Sequence, residues 1–396
     1  MRQKVLLGSL VLILWLAFSI TAYLWLVPIQ TNFDFYPRWA GANVMLRGEN
    51  PYALVFDDAY CASHKLPPFV SEHFLYLATI TWILLPLWLL PIKIAVSIWC
   101  GLQLLIFMVA PSLMFARLGW RAKPLLLALV VMASAVGNYH SVNVYVLGQF
   151  VPFVLACLLL AWWLLLENRS WLAALALLGA TIRPEGALLV AVILLDLLLK
   201  RRYKVVAIWA GLIGTVFLLT VLQIGFWIPD FFNGVEFYKE RGISSYPTRV
   251  FGEGISNFII AAVVVWGLSL LLQMRSLPDE TRLLWSMSVL ILVTLMVLPQ
   301  THDYTLVYTL LPIWFMLWVG RNTMWNAPLL LCILATSWLV IAADQPHLFE
   351  LQQLLNPLAL GSLLTYHWYR WKNYSLPDVS YMQLQHPDPT GSSLAR

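Results

Sequence analysis

Asp34 heads the stretch DFYPRWAGANVMLRGENPY, just beyond the first apolar run, and is the side chain best placed for proton transfer. An isolated carboxylate ahead of an aromatic-rich, helix-forming segment at a membrane boundary is a candidate general base. Tyr36 and Arg38 lie within about one turn of it and are candidate substrate contacts. Farther along, Arg183 and Glu185 flank Pro184 among apolar residues. A guanidinium in such surroundings is costly and faces a cavity or a partner. Gln149 opens an apolar run, and His302, Asp303 and Tyr304 lead into another. Lys239, Arg241 and Arg249 punctuate the aromatic segment 229–256.

The elements that must hold these residues are membrane spans. The 396 residues are 61% hydrophobic and 11% charged, with a mean hydropathy of +0.78, far from a soluble domain. Val5 to Val27 exceeds a signal-peptide core and lacks a small-residue cleavage site, so it reads as a retained first span. Twenty Trp and sixteen Tyr suit interfacial belts. A net charge of +5 requires no nucleic acid, because basic loops orient membrane proteins. Cys61, Cys100, Cys157 and Cys332 are scattered, which supports neither a disulfide framework nor a zinc site.

Placing the N-terminus and the basic punctuation (Arg117, Arg121, Lys123, Arg169, Lys200 to Lys204, Arg275, Arg282, Arg321, Arg370, Lys372) in the cytoplasm predicts an all-α, polytopic protein. Its twelve spans fall near 5–27, 93–116, 124–140, 149–166, 171–183, 186–199, 205–228, 257–275, 283–298, 305–320, 327–343 and 354–371. Segment 73–91, interrupted by Pro86 and closed by Pro91, is expected to lie in or re-enter the outer leaflet. The alternative makes it a full crossing and joins 171–199 into one broken helix. The favoured topology gives one transmembrane domain, 1–371, and a cytoplasmic tail, 372–396. It gathers the polar clusters on the outer side, where loops 28–72 and 229–256 are expected to form the site.

Asp34-Phe35, the small and aromatic residues up to Leu46, Gly48 and Asn50-Pro51-Tyr52 resemble the first-loop signature of glycosyltransferase family 87. These are membrane-embedded mannosyltransferases of the GT-C class. Gly148-Gln149, Arg183-Pro184 and His302-Asp303-Tyr304 continue the resemblance, roughly over residues 5 to 320. The chain departs from the pattern at Tyr76-Leu77-Ala78, where the family carries Tyr-Pro-Pro, and at Arg183, where it usually carries Lys. The resemblance implies a GT-C-like fold and inverting transfer of a hexose, mannose by family expectation. The donor would be a polyprenyl-phosphate sugar and the acceptor a glycolipid or glycan at the outer face of the plasma (inner) membrane.

A lipid-anchored donor and a polar acceptor must meet at the interface, where transfer needs a base and cations for the departing phosphate. Asp34 is the expected base. Arg183, His302, Lys239, Arg241 and Arg249 are the expected phosphate ligands, and Tyr36, Arg38, Gln149, Glu185, Asp303 and Tyr304 the expected substrate contacts. No metal or other cofactor is expected. Plainer readings stand beside these: Asp34 as the N-cap of helix 35–47, with Gly48 at C′; Arg183 with Glu185 as a structural ion pair; His302-Asp303 as a cap; Gln149 satisfying nearby backbone. Asp57-Asp58 reads as a solvated loop pair rather than a metal site, and 229–256 as either a clamp over the site or a passive interfacial loop. The rival classes are a lipid-linked-sugar flippase or small-solute transporter, and a non-catalytic accessory subunit.

Overall fold

A computed structural model describes residues 2–26, 34–54, 62, 74, 76–240, 244–298, 303–342 and 346–373. The regular elements among the described residues are all helical. A helix satisfies its backbone within one segment, which is what a chain of apolar runs needs in lipid. Helix α1 (Arg2–Thr21) continues into a π-helical turn at Ala22–Leu26. After α2 (Phe35–Leu46) come two short pieces, α3 (Thr79–Ile83) and α4 (Leu85–Trp88), broken at Leu84. Then follow α5 (Ile92–Arg117), α6 (Pro124–Ala135), α7 (Tyr139–Leu147), α8 (Val151–Leu166), α9 (Ser170–Ala180) and α10 (Pro184–Leu199). The remainder is α11 (Tyr203–Ile224), α12 (Ile228–Glu240), α13 (Tyr246–Gln273), α14 (Asp279–Val297), α15 (Leu310–Val319), α16 (Asn326–Ala342) and α17 (Pro346–Asn373). A 3₁₀ turn, Asp303–Thr309, leads into α15.

Among the described residues four helices are long and apolar enough to cross a membrane: α5, α11, α13 with its 3₁₀ extension to Ser276, and α14. The pair α6 and α7, bent by 55°, makes a fifth if it is one span. Other apolar helices, including α8 and α9, are shorter. Length and composition thus mark four or five candidate crossings among the described residues, and the rest of the expected twelve are not shown. Segment 73–91, where described, holds only the short α3 and α4 and so is not a continuous crossing helix. It packs on α2 instead: Trp39 Nε1 donates to Leu90 O (3.0 Å) and Asn43 Nδ2 to Trp88 O (3.2 Å).

The basic punctuation gathers at one end of the bundle. Arg117 at the end of α5 faces Glu280 (3.9 Å), Arg202 pairs with Asp279 (2.7 Å), and Arg282 joins Asp279 (2.8 Å) and Asp196. Arg202 also donates to Leu165 O (3.2 Å), at the end of α8. Residues 165 and 202 therefore lie together, and α9 and α10 form a hairpin whose apex is Arg183. This geometry excludes the single broken helix over 171–199. With 11 residues, α9 rises only about 17 Å, against a hydrocarbon core of about 30 Å. Segment 171–183 is the short limb of this hairpin, and its length does not by itself establish the separate crossing expected of it.

Residues 229–256 also differ from expectation. They are mostly helix, namely α12 and the first turns of α13, with a bend at Gly252 (φ 73°, ψ 174°). Pro229 and Asp230 open α12, a proline with preset φ and an acid at the positive end of the helix dipole. The density of Gly, Pro and aromatics mimicked a loop.

Candidate active site

The first site residue is fixed by the packing of α2. Phe35 is buried and stacks on Phe150 (5.9 Å), next to Trp88 and Trp99, so the chain ahead of it is pinned against the start of α8. Asp34 stands at the head of α2 but makes no side-chain cap. Its Oδ2 instead accepts a hydrogen bond from Gln149 Nε2. The cap-only reading of Asp34 is thereby corrected. At its other end α2 behaves as expected: Arg47 occupies the C-cap, Gly48 has φ 87°, and Glu49 N closes back on Val44 O (3.2 Å).

Arg38, one turn into α2, is 2% exposed. One of its amino groups donates to Asp34 O and the other to Gln149 Oε1 (2.9 Å). Its guanidinium lies between the rings of Tyr76 (4.0 Å) and Phe150 (4.8 Å), a cation–π sandwich out of water. Tyr76 is itself placed by the Asn-Pro-Tyr motif. Tyr52 donates to Tyr76 O (2.6 Å), and burial holds the Tyr52 phenol well above its ordinary range, so it remains a donor. Asn50 accepts from Tyr52 N (3.1 Å) and donates to Asp230 of α12 (2.7 Å).

Gln149 follows the left-handed Gly148 (φ 64°, ψ 33°) that ends α7. Its backbone is held from α5: Trp99 Nε1 donates to the carbonyls of Gly148 and Gln149 (both 3.2 Å), and Gln103 Nε2 to Gln149 O (2.6 Å). The side chain does not serve neighbouring backbone. It bonds Asp34, Arg38 and Arg183, the last through Arg183 Nη1 to Gln149 Oε1 (2.9 Å).

Arg183 is extended (φ −126°, ψ 146°) at the hairpin apex, where Pro184 starts α10. It grips Glu185 through two bonds, Nε to Oε2 (3.2 Å) and Nη2 to Oε1 (2.9 Å), and lies 5.4 Å from the Tyr304 ring. The structural ion pair and the site are therefore one arrangement. Arg38, Arg183, Asp34 and Glu185 sum to zero formal charge, which makes their shared burial tolerable.

The structure thus brings together Asp34, Arg38, Gln149, Arg183, Glu185 and Tyr304. Tyr36 is buried and stacks on Trp39 (6.3 Å). Arg249, in the first turns of α13, donates to Ser244 O (3.1 Å) just ahead of the helix; the Tyr246 hydroxyl there bonds that of Thr305 (3.2 Å), the residue after Tyr304. Lys239 lies on α12 and Asp303 opens the 3₁₀ turn, their side chains outside the description. Arg241, His302, Asp57 and Asp58 lie outside the described residues. No three His, Cys, Asp or Glu side chains are placed to hold a metal among the described residues. Sequence reasoning missed Gln103, Trp99, Tyr76 and Phe150. Gln103 had a signal, an amide inside a 26-residue apolar helix.

The profile of glycosyltransferase family 87 matches residues 74–300. That segment includes Gln103, Gln149, Arg183 and Glu185, while Asp34 and Arg38 precede it and Tyr304 follows. No curated protein and no solved structure matches.

Proposed function

Because the chain belongs to glycosyltransferase family 87 and is a transferase of sugars, we propose that it uses Asp34 as the base of an inverting transfer from a polyprenyl-phosphate hexose. The acceptor is a hydroxyl of a glycolipid or glycan at the outer face of the plasma (inner) membrane. Mannose is the sugar that the family resemblance implies. The acceptor oxygen attacks C1 of the sugar, and its proton passes to Asp34. The bond from C1 to the phosphate oxygen breaks, and its electron pair leaves with polyprenyl phosphate. Arg183 receives the charge that develops on that phosphate, where its planar fork can donate two bonds. Arg249, Lys239, Arg241 and His302 are proposed to add charge, and Tyr36, Asp303 and Tyr304 to contact substrate. In this reading the cations do the work of charge neutralisation and no metal is required.

One observation carries the proposal: a single amide, Gln149, separates the Asp34 carboxylate from two buried guanidinium groups. A proton acceptor and phosphate-binding cations a few ångströms apart are what glycosyl transfer from a phosphate requires. The test is sugar transfer by purified protein in lipid, with labelled polyprenyl-phosphate mannose and a membrane-glycolipid extract, comparing wild type with Asp34→Asn. Transfer by the wild type and a loss of at least about 10²-fold in the variant is expected. Equal rates would remove Asp34 as base. Absence of transfer across several polyprenyl-phosphate sugars would favour a lipid-linked-sugar flippase or solute carrier.

A further inference from the structure

Gln149 is 0% exposed, and each polar atom of its side chain is engaged within the site. Its Oε1 accepts from Arg38 Nη2 and Arg183 Nη1, both at 2.9 Å, and its Nε2 donates to Asp34 Oδ2. An amide oxygen has two lone pairs, and both are taken. Two guanidinium donors fix which end of the amide is oxygen, so the NH₂ must face Asp34. The backbone is held by Trp99, Gln103 and the turn at Gly148, which leaves the side chain as the part that can move.

This arrangement sets Gln149 in competition with the substrates. A donor phosphate competes with the amide oxygen for one N–H of each guanidinium. An acceptor hydroxyl competes with the amide NH₂ for Asp34 Oδ2, and a hydrogen bond to an ionised carboxylate lowers its basicity. A phosphate oxygen brings its own negative charge to the guanidinium and can take two parallel N–H bonds, which a neutral carbonyl cannot, so the phosphate displaces the amide from Arg183. The amide oxygen then keeps only Arg38 of its two guanidinium anchors, and the NH₂ is held less firmly on Asp34.

We propose, on the reading of this site as a polyprenyl-phosphate-dependent transferase, that Gln149 is a positioning residue linking its two halves. It holds Asp34 while the phosphate site is empty and releases it when donor phosphate takes Arg183. The base then reaches its full basicity toward the acceptor hydroxyl once the donor is in place.

The experiment uses the full chain in lipid nanodiscs, titrated with polyprenyl phosphate as probe, with turnover measured on the same preparations. Gln149→Leu removes the competing oxygen, and polyprenyl phosphate is expected to bind about threefold to tenfold tighter while turnover at saturating donor falls. Gln149→Glu keeps the shape but sets a charged acceptor against both arginines, and binding is expected to weaken about tenfold. Opposite shifts in affinity support the coupling. Shifts in the same direction, or none, overturn it and leave Gln149 a structural group. Should Gln149→Leu not fold, Gln149→Glu decides alone, and unchanged or tighter binding overturns the coupling. A wild type that neither binds polyprenyl phosphate nor transfers from its sugars brings down the functional reading and the coupling together. A wild type that does both, with variants that fail to split, brings down the coupling only.

Discussion

Arg38 and Arg183 carry the same charge in different surroundings, and their substitutions should separate. Arg38 is held between two rings and bonded to the Asp34 carbonyl, so it shapes the site from below. Arg38→Lys keeps the charge but loses the planar stack. A loss of about 1–2 kcal/mol in stability is expected, read as a lower unfolding midpoint in detergent. Arg183 sits at the hairpin apex with Glu185 and Tyr304, where a departing phosphate can reach it. Arg183→Lys retains one charge and loses the fork, so turnover should fall by about 10²-fold while the unfolding midpoint moves little beside that of Arg38→Lys. Arg183 and Glu185 were legible in the sequence because charge within an apolar run is rare. Phe150 and Tyr76 were not, because an aromatic beside apolar residues carries no mark of the cation it covers.

At the scale of elements, the turn between α7 and α8 aims Gln149. An alanine Cβ at Gly148 would lie 2.8 Å from Phe35 Cβ, at a backbone φ of 64° that L side chains adopt at a cost. Gly148→Ala is expected to destabilise by about 1–3 kcal/mol and to lower transfer more than stability alone explains, since Gln149 moves with the turn. A comparison of unfolding midpoint and turnover in the same detergent tests both parts. At the opposite end, Arg282 is buried between Asp196 and Asp279 and ties α10 to α14. Removing it as Arg282→Ala strips Asp196 of its ion pair and leaves Asp279 with Arg202 alone, and should cost about 1–3 kcal/mol of stability without altering donor affinity. The long helices were readable from hydropathy, as the near agreement of 93–116 with Ile92–Arg117 shows. Residues 229–256 were misread as a loop because propensity weighs Gly and Pro heavily and cannot see that Trp227 and Phe231 pack on Tyr52.

For the whole molecule, the separation of charge decides which way the site faces. The ion pairs of Arg117, Arg202 and Arg282 occupy one end of the bundle. Asp34, Gln149 and the Arg183 apex lie on limbs that rise away from that end. If the basic end is cytoplasmic, as the bias of Lys and Arg implies, the site opens outward. The short α9 puts the Arg183 apex about 17 Å from Ser170, short of a full core of about 30 Å. Such a position suits a donor whose polyprenyl chain never leaves the lipid and whose phosphate reaches the arginines sideways. Sidedness can be read directly in cells, in a background with the native cysteines replaced. A membrane-impermeant maleimide should label Arg47→Cys on intact cells, because Arg47 is exposed beyond the end of α2. Lys200→Cys, exposed at the basic end, should react only after permeabilisation. The reverse pattern would place transfer at the cytoplasmic face, where a nucleotide sugar could compete with a lipid-linked one, and the donor assignment would fall with the topology.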